Sequence, residues 1–139
     1  YEGCRALSRH CGVPIILDES FVKVGQFPLI EGEPSLWILN IRVSKMGGLL
    51  RACTVAARAK AAGIPIVVGA QVGETSILTR VALVVADRYR DILIAQEGAV
   101  GTHLLEYDLC EPPLMFGRGG CLADTVFYGR SGLGLSFAR

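Results

Sequence analysis

One phrase occurs twice in this sequence and constrains the fold more than any other feature. A helical stretch closes at Gly12 and is followed by Val13-Pro-Ile-Ile-Leu17, an apolar run that stops at Asp18-Glu19-Ser20. The pattern returns at Ala61-Ala-Gly-Ile-Pro-Ile-Val-Val-Gly69, where Gly63 ends a helix and Ile64 to Val68 form the next apolar run. Glycine just past the last helical residue is a stop signal, and a short apolar run bounded by turn residues reads as a buried strand. The repeating unit is therefore helix, glycine, strand, polar loop.

Between the two copies lies Leu36-Trp-Ile-Leu-Asn-Ile-Arg-Val43, a third apolar strand, then Gly47-Gly48 and a helical run from Leu49 to Ala62. After Val68 come a loop over 69–75, a predicted helix from Ser76 to Ala86 and a last core strand near Asp91 to Ala95. Strands alternating with helices of this length imply parallel βαβ units, and near-continuous apolar strands imply that both faces of the sheet are covered. From Gln96 to Arg139 the texture changes: Pro112-Pro113, Gly117, Gly119-Gly120, Gly129 and Gly132-Leu-Gly134 break the chain into turns and short extended pieces. The expected division is thus a core over 1–98 and an irregular extension over 99–139.

Composition excludes several classes. With 51% hydrophobic and 19% charged residues in 139, the chain can bury a sizeable core. A net charge of +1, from 14 Lys plus Arg against 13 Asp plus Glu scattered along the sequence, offers no stripe for nucleic acid. No apolar run is long enough to span a membrane, and the first residues do not read as a signal segment. Five cysteines without a C-x-x-C pair point to reduced thiols and a cytoplasmic setting. A doubly wound nucleotide-binding fold is disfavoured, since Gly129-Arg-Ser-Gly-Leu-Gly134 follows all the core strands instead of opening a helix after one. The chain opens on Tyr1 inside a helical stretch, which suggests part of a longer protein.

In parallel barrels the active site forms at the carboxyl ends of the strands, so the polar residues there are the candidates. They are Asp18 with Glu19, Arg42 with Lys45, Gln71 with Glu74, and Gln96 with Glu97. Asp18 is a suitable oxygen donor for Mg²⁺, although an Asp or Ser at such a place also caps whatever follows. Arg42 and Lys45 also read as a solvated strand end, and Glu74 and Glu97 as helix-starting acids. His103 falls in the extension, where no strand places it at the mouth, and reads as a surface or packing residue.

Leu17-Asp-Glu-Ser20, Asn40-Ile-Arg-Val-Ser-Lys-Met-Gly-Gly48 and Gly132-Leu-Gly-Leu135 together resemble the enolase superfamily, in its mandelate racemase and muconate lactonizing enzyme group. The resemblance implies the C-terminal part of an α/β (β/α)₇β TIM-like barrel, about strands 5 to 8. It also implies that the capping domain, two further metal carboxylates and a Lys-x-Lys motif lie upstream. It makes Asp18 the third ligand of a catalytic Mg²⁺ and Glu19 an acidic neighbour of the ligands. The substrate is then a small carboxylate whose α-proton is removed, and the full-length protein a homo-oligomer.

Where that group carries a lysine on its sixth strand, this chain has Arg42, and the spacing from Asp18 favours aligning Arg42 over Lys45. Arginine stays protonated and is no ordinary general base, but it stabilises an enolate. Lys45, three positions on, is expected on the opposite face of the strand. The favoured reaction is therefore a one-base dehydration of an acid sugar or related hydroxy acid, with racemisation or cycloisomerisation as the alternative and a non-catalytic binding barrel as a third. Glu74 is expected to orient Arg42 or Lys45 by an ion pair, with Gln71, Gln96 and Glu97 lining the substrate pocket.

Overall fold

The structure is a computed structural model that describes residues 1–98, 100–122 and 129–138. Helix α1 (Glu2–Cys11) ends at Gly12, whose left-handed φ of 69° brings its N–H back to Ser8 O at 2.9 Å. Strand β1 (Ile15–Leu17) starts only after Pro14, and β3 (Ile66–Gly69) only after Pro65, because proline has no N–H to give a ladder. Both strands thus begin two residues later than the apolar runs suggest.

Strand β2 (Trp37–Arg42) leads into one helical turn, α2 (Val43–Met46), and then α3 (Leu49–Ala61). After β3 come α4 (Ser76–Arg88), β4 (Leu93–Gln96) and a short α5 (Gly101–Leu104). The four strands are parallel in the order β1-β2-β3-β4, so each helix crosses over to the next strand in line. This is the expected α/β architecture.

The two faces of the sheet differ. Ladder register places Leu17, Leu39, Ile41, Ile66 and Val68 on one face, all buried under α3 and α4. Those helices present Ala52, Ala56, Ala59, Ala82 and Ala86, side chains small enough to bring helix and sheet into close contact. Removing each Leu or Ile from water there stabilises by about 1.5–3 kcal/mol. The other face carries Ile16, Ile38, Asn40, Arg42, Val67 and Gly69; Ile16 on the edge strand is 54% exposed, whereas Ile38, Asn40 and Val67 are buried. The expectation that both faces are covered holds for the central strands β2 and β3, which are buried on both faces up to Ile41 and Gly69, and fails at the edge strands β1 and β4.

Described residues of the extension dock on the start of α4. Asp108 Oδ2 accepts from Ser76 N at 2.9 Å, capping α4 in place of a local side chain, and Leu114 N donates to Ser76 Oγ at 2.7 Å. Leu114 and Met115 are buried. Isolated bridges pair Cys110 with Phe137 and Phe116 with Leu122. The predicted 99–139 segment lies partly outside the described residues. Among the described residues no helix is long and apolar enough to cross a membrane.

Candidate active site

Three parallel strands deliver their last polar residues to one place. Asp18 follows β1 directly, Arg42 ends β2, and Gln71 lies just past β3. Arg42 and Asn40 are two apart on one strand and so share the face opposite α3 and α4, which is where Asp18 also points.

Asp18 is the hub. Its Oδ2 accepts from Arg42 Nη2 and, at 3.1 Å, from Asn40 Nδ2. Its Oδ1 accepts from Lys45 Nζ at 2.7 Å. Arg42 spreads its fork, donating through Nη1 to Gln71 Oε1 at 3.0 Å, so the guanidinium spans the ends of β1 and β3. Its Nε–H is buried and has no partner among the described residues.

Lys45 overturns the expectation for its direction. The strand ends at Arg42 and the chain turns helical at Val43, so two-residue alternation no longer applies. The turn folds the Lys45 side chain back onto the site, where it is 7% exposed. Its ammonium donates to Asp18 Oδ1, to Asp18 O at 2.8 Å and to Asn40 O at 2.8 Å. All three N–H groups are engaged. Burial lowers the Lys45 pKa below its ordinary value, with the hydrogen bond to Asp18 opposing that shift.

The remaining candidates separate. Glu74 is buried, but its Oε1 accepts from Ser44 Oγ at 3.2 Å, and no ion pair joins it to Arg42 or Lys45; Gln71 holds Arg42 instead. Glu97 is exposed and its carboxylate accepts from Ala70 N at 3.1 Å. Glu19 is exposed. Gln96 is turned away from the mouth for a visible reason. A register shift between Ile66 and Val67 leaves Ile94 as an extra residue, which pairs Gln96 with Val68 and sends it to the helix side. There it lines a cavity between β4 and α4 with Arg80, Leu83 and Leu93. His103 is exposed on α5.

Asn40 is a site residue that motif spacing did not single out. It is 3% exposed, and its Oδ1 has no partner. Its signal was present as the one polar residue within Leu36 to Ile41.

A Mg²⁺ centre needs several hard oxygen donors around one point. Among the described residues no group of three or more His, Cys, Asp or Glu is arranged to hold a metal ion. Asp18 is a single carboxylate facing two cations, so the immediate cluster is net positive. These residues as they stand do not fit a divalent cation, which needs several hard oxygen donors.

Residues 1–139 match the family described as enolase C-terminal domain-like. An N-acetyl-D-glutamate racemase from Pseudoalteromonas sp. is 31% identical over 81 residues, covering 58% of this chain and 25% of that protein. The structure of a mandelate racemase/muconate lactonizing enzyme from Roseovarius nubinhibens ISM superposes with a TM-score of 0.77 at 20% identity, over 99% of this chain and 36% of that one. An N-succinyl Arg/Lys racemase from Bacillus cereus ATCC 14579 superposes with a TM-score of 0.62 at 20% identity, over 78% and 28%. The chain thus spans about a quarter of the curated relative's length. The structural matches agree with the barrel fold read from the sequence.

Proposed function

This chain belongs to the enolase C-terminal domain-like family, whose superfamily is one of enzymes, and on that premise we propose that it carries part of an active site that removes a proton α to a carboxylate. The observation behind this reading is the Arg42 guanidinium, braced between Asp18 and Gln71 at the ends of parallel strands with Nε–H unpartnered among the described residues. A fixed cation at that place binds a carboxylate and stabilises the charge that develops on it as the α-proton leaves. Because Arg42 is already held, little reorganisation is needed at the moment of reaction.

Neither cation serves as the base. Arginine does not release its proton near neutral pH, and Lys45 has given all three N–H groups to Asp18 and Asn40. Lys45 is the positioning residue that fixes Asp18, and Asp18 in turn fixes Arg42. The base is then a group other than these, and Mg²⁺, implied by the resemblance, would require carboxylates beyond Asp18.

We favour racemisation or epimerisation of an N-acyl amino acid over the dehydration suggested by the sequence. The support is the similarity to an N-acetyl-D-glutamate racemase, 31% identical over 81 residues. Dehydration of an acid sugar remains the second reading, favoured by Arg42 itself, since a racemase is most simply built with a base on each side of the substrate.

The test is α-proton exchange followed by ¹H NMR in D₂O, using the full-length protein with Mg²⁺, N-acyl amino acids and acid sugars. Exchange with inversion on an N-acyl amino acid supports the first reading, and loss of water from an acid sugar the second. Absence of exchange and of turnover across both panels overturns the catalytic proposal.

A further inference from the structure

Lys45 is carried by a segment too short to hold its own shape. Helix α2 is one turn, Val43–Met46, closed by Gly47 at a left-handed φ of 82°, and a helix of that length is not stable without outside contacts. The three donations of Lys45 to Asp18 and Asn40 depend on where this turn lies. Val43 and Met46 hold its buried side. Its exposed residue Ser44 reaches across to the loop between β3 and α4, where its Oγ donates to Glu74 Oε1 at 3.2 Å.

Glu74 is seated to resist movement. It is 6% exposed, and a Cβ on Gly101 would overlap Glu74 O and fall 2.9 Å from Met115 Cε, so α5 and the extension press directly on its backbone. Two residues further on, Ser76 is fixed by Asp108 and Leu114. Among the described residues the Glu74 carboxylate has the Ser44 hydroxyl as partner and no cation of its own. A buried carboxylate needs a compensating charge or donor, and the group of Asp18, Arg42 and Lys45 on the far side of Ser44 carries one surplus positive charge.

We propose that Glu74 is a further positioning residue: through Ser44 it fixes the α2 turn, the turn fixes Lys45 on Asp18, and Asp18 holds Arg42. Gln71, three residues earlier in the same loop, holds Arg42 directly. One loop thus braces both cations of the site, and because Glu74 lies under α5 and Met115, the docking of the extension and the placement of Lys45 are linked.

The role in catalysis rests on the proposed proton-abstraction reading, but the link is tested by the reactivity of the Lys45 amine, which needs no substrate. Full-length wild type, Ser44→Ala, Glu74→Ala, Glu74→Gln and the double alanine variant are treated briefly with acetic anhydride, and acylation of each lysine is read by mass spectrometry. In the wild type Lys45, 7% exposed with every N–H engaged, should react far more slowly than Lys60, whose side chain is 53% exposed. Either alanine variant should raise acylation of Lys45 relative to Lys60 about fivefold, the factor set by one hydrogen bond of ordinary strength. The double variant should go no further than the singles, and Glu74→Gln, which keeps an acceptor in place, should return most of the protection. Alkylation of the buried Cys110 serves as the control and should stay at the wild-type rate in all variants. Wild-type acylation of Lys45 in both single variants, additive effects in the double, Glu74→Gln as reactive as Glu74→Ala, or a rise shared by Cys110 would each overturn the link. If Glu74→Ala does not fold, Ser44→Ala, the truncation of an exposed side chain, decides alone. Failure here with α-proton exchange intact removes only the positioning role of Glu74; failure of exchange with this labelling pattern intact removes only the reaction.

Discussion

A Cβ placed on Gly69 would fall 2.2 Å from Asn40 Oδ1, so the amide occupies the space that any side chain at position 69 would need. The two residues lie on adjacent strands, and the missing side chain on β3 leaves room beside Gly69 for the Asn40 amide of β2 as it donates to Asp18, which follows β1. Small size at position 69 and an amide at position 40 are therefore one feature of the site.

Gly69→Ala should cost about 1–3 kcal/mol by overpacking. In an Asn40→Ala background most of that cost should vanish, because the obstructing atom is gone. Urea denaturation of the wild type, both single variants and the double variant measures the coupling. Additive costs would mean that the two positions are independent.

Lys45 should give stability a particular pH dependence. Burial lowers its folded pKa below the ordinary 10.5. Between the folded value and 10.5 the unfolded chain holds a proton that the native chain has released, so stability from this group rises with pH through that window. Lys45→Arg does not titrate there. The unfolding free energy of wild type should gain on that variant as pH approaches 10.5, and parallel curves would contradict the assignment.

Lys45→Met should be the costlier change, at about 2–4 kcal/mol, since it leaves Asp18 partly buried with one cation fewer. Denaturant midpoints at neutral pH check the loss. A change within about 0.5 kcal/mol would place Lys45 among ordinary surface charges.

The thiols should separate by access. Cys4, Cys11 and Cys121 are exposed, whereas Cys110 is buried, and burial followed by the charge of Asp108 raises its pKa. Thiolate is the reacting form. Mass spectrometry after brief iodoacetamide treatment should find the three exposed cysteines modified and Cys110 modified only once the chain is unfolded. Equal rates at Cys4 and Cys110 would contradict this burial.

The strands and their order were legible because apolar runs bounded by Gly and Pro are short-range signals. The first residues of β1 and β3 were less so, since Pro14 and Pro65 sit inside apolar runs yet have no N–H to donate to a ladder. Asp18 and Arg42 could be placed at strand ends from the sequence alone. Lys45 and Gln96 could not. The direction of Lys45 depends on where β2 turns helical, and that of Gln96 on an irregularity between β3 and β4 that shifts the face by one residue. Asn40 was visible as a motif residue and as the one polar residue within Leu36 to Ile41, but its role depends on Gly69, far along the chain and adjacent in the sheet.

In the proposed reaction Arg42 stabilises charge on a substrate carboxylate as its α-proton leaves. The most direct measurement is the rate of α-deuterium incorporation in D₂O by the full-length wild type, Arg42→Lys and Arg42→Ala, on whichever substrate exchanges. Loss of a preorganised charge donor should slow exchange by about 10²–10³-fold in Arg42→Ala, with Arg42→Lys keeping part of the rate through its charge. Exchange by Arg42→Ala at the wild-type rate would contradict the account.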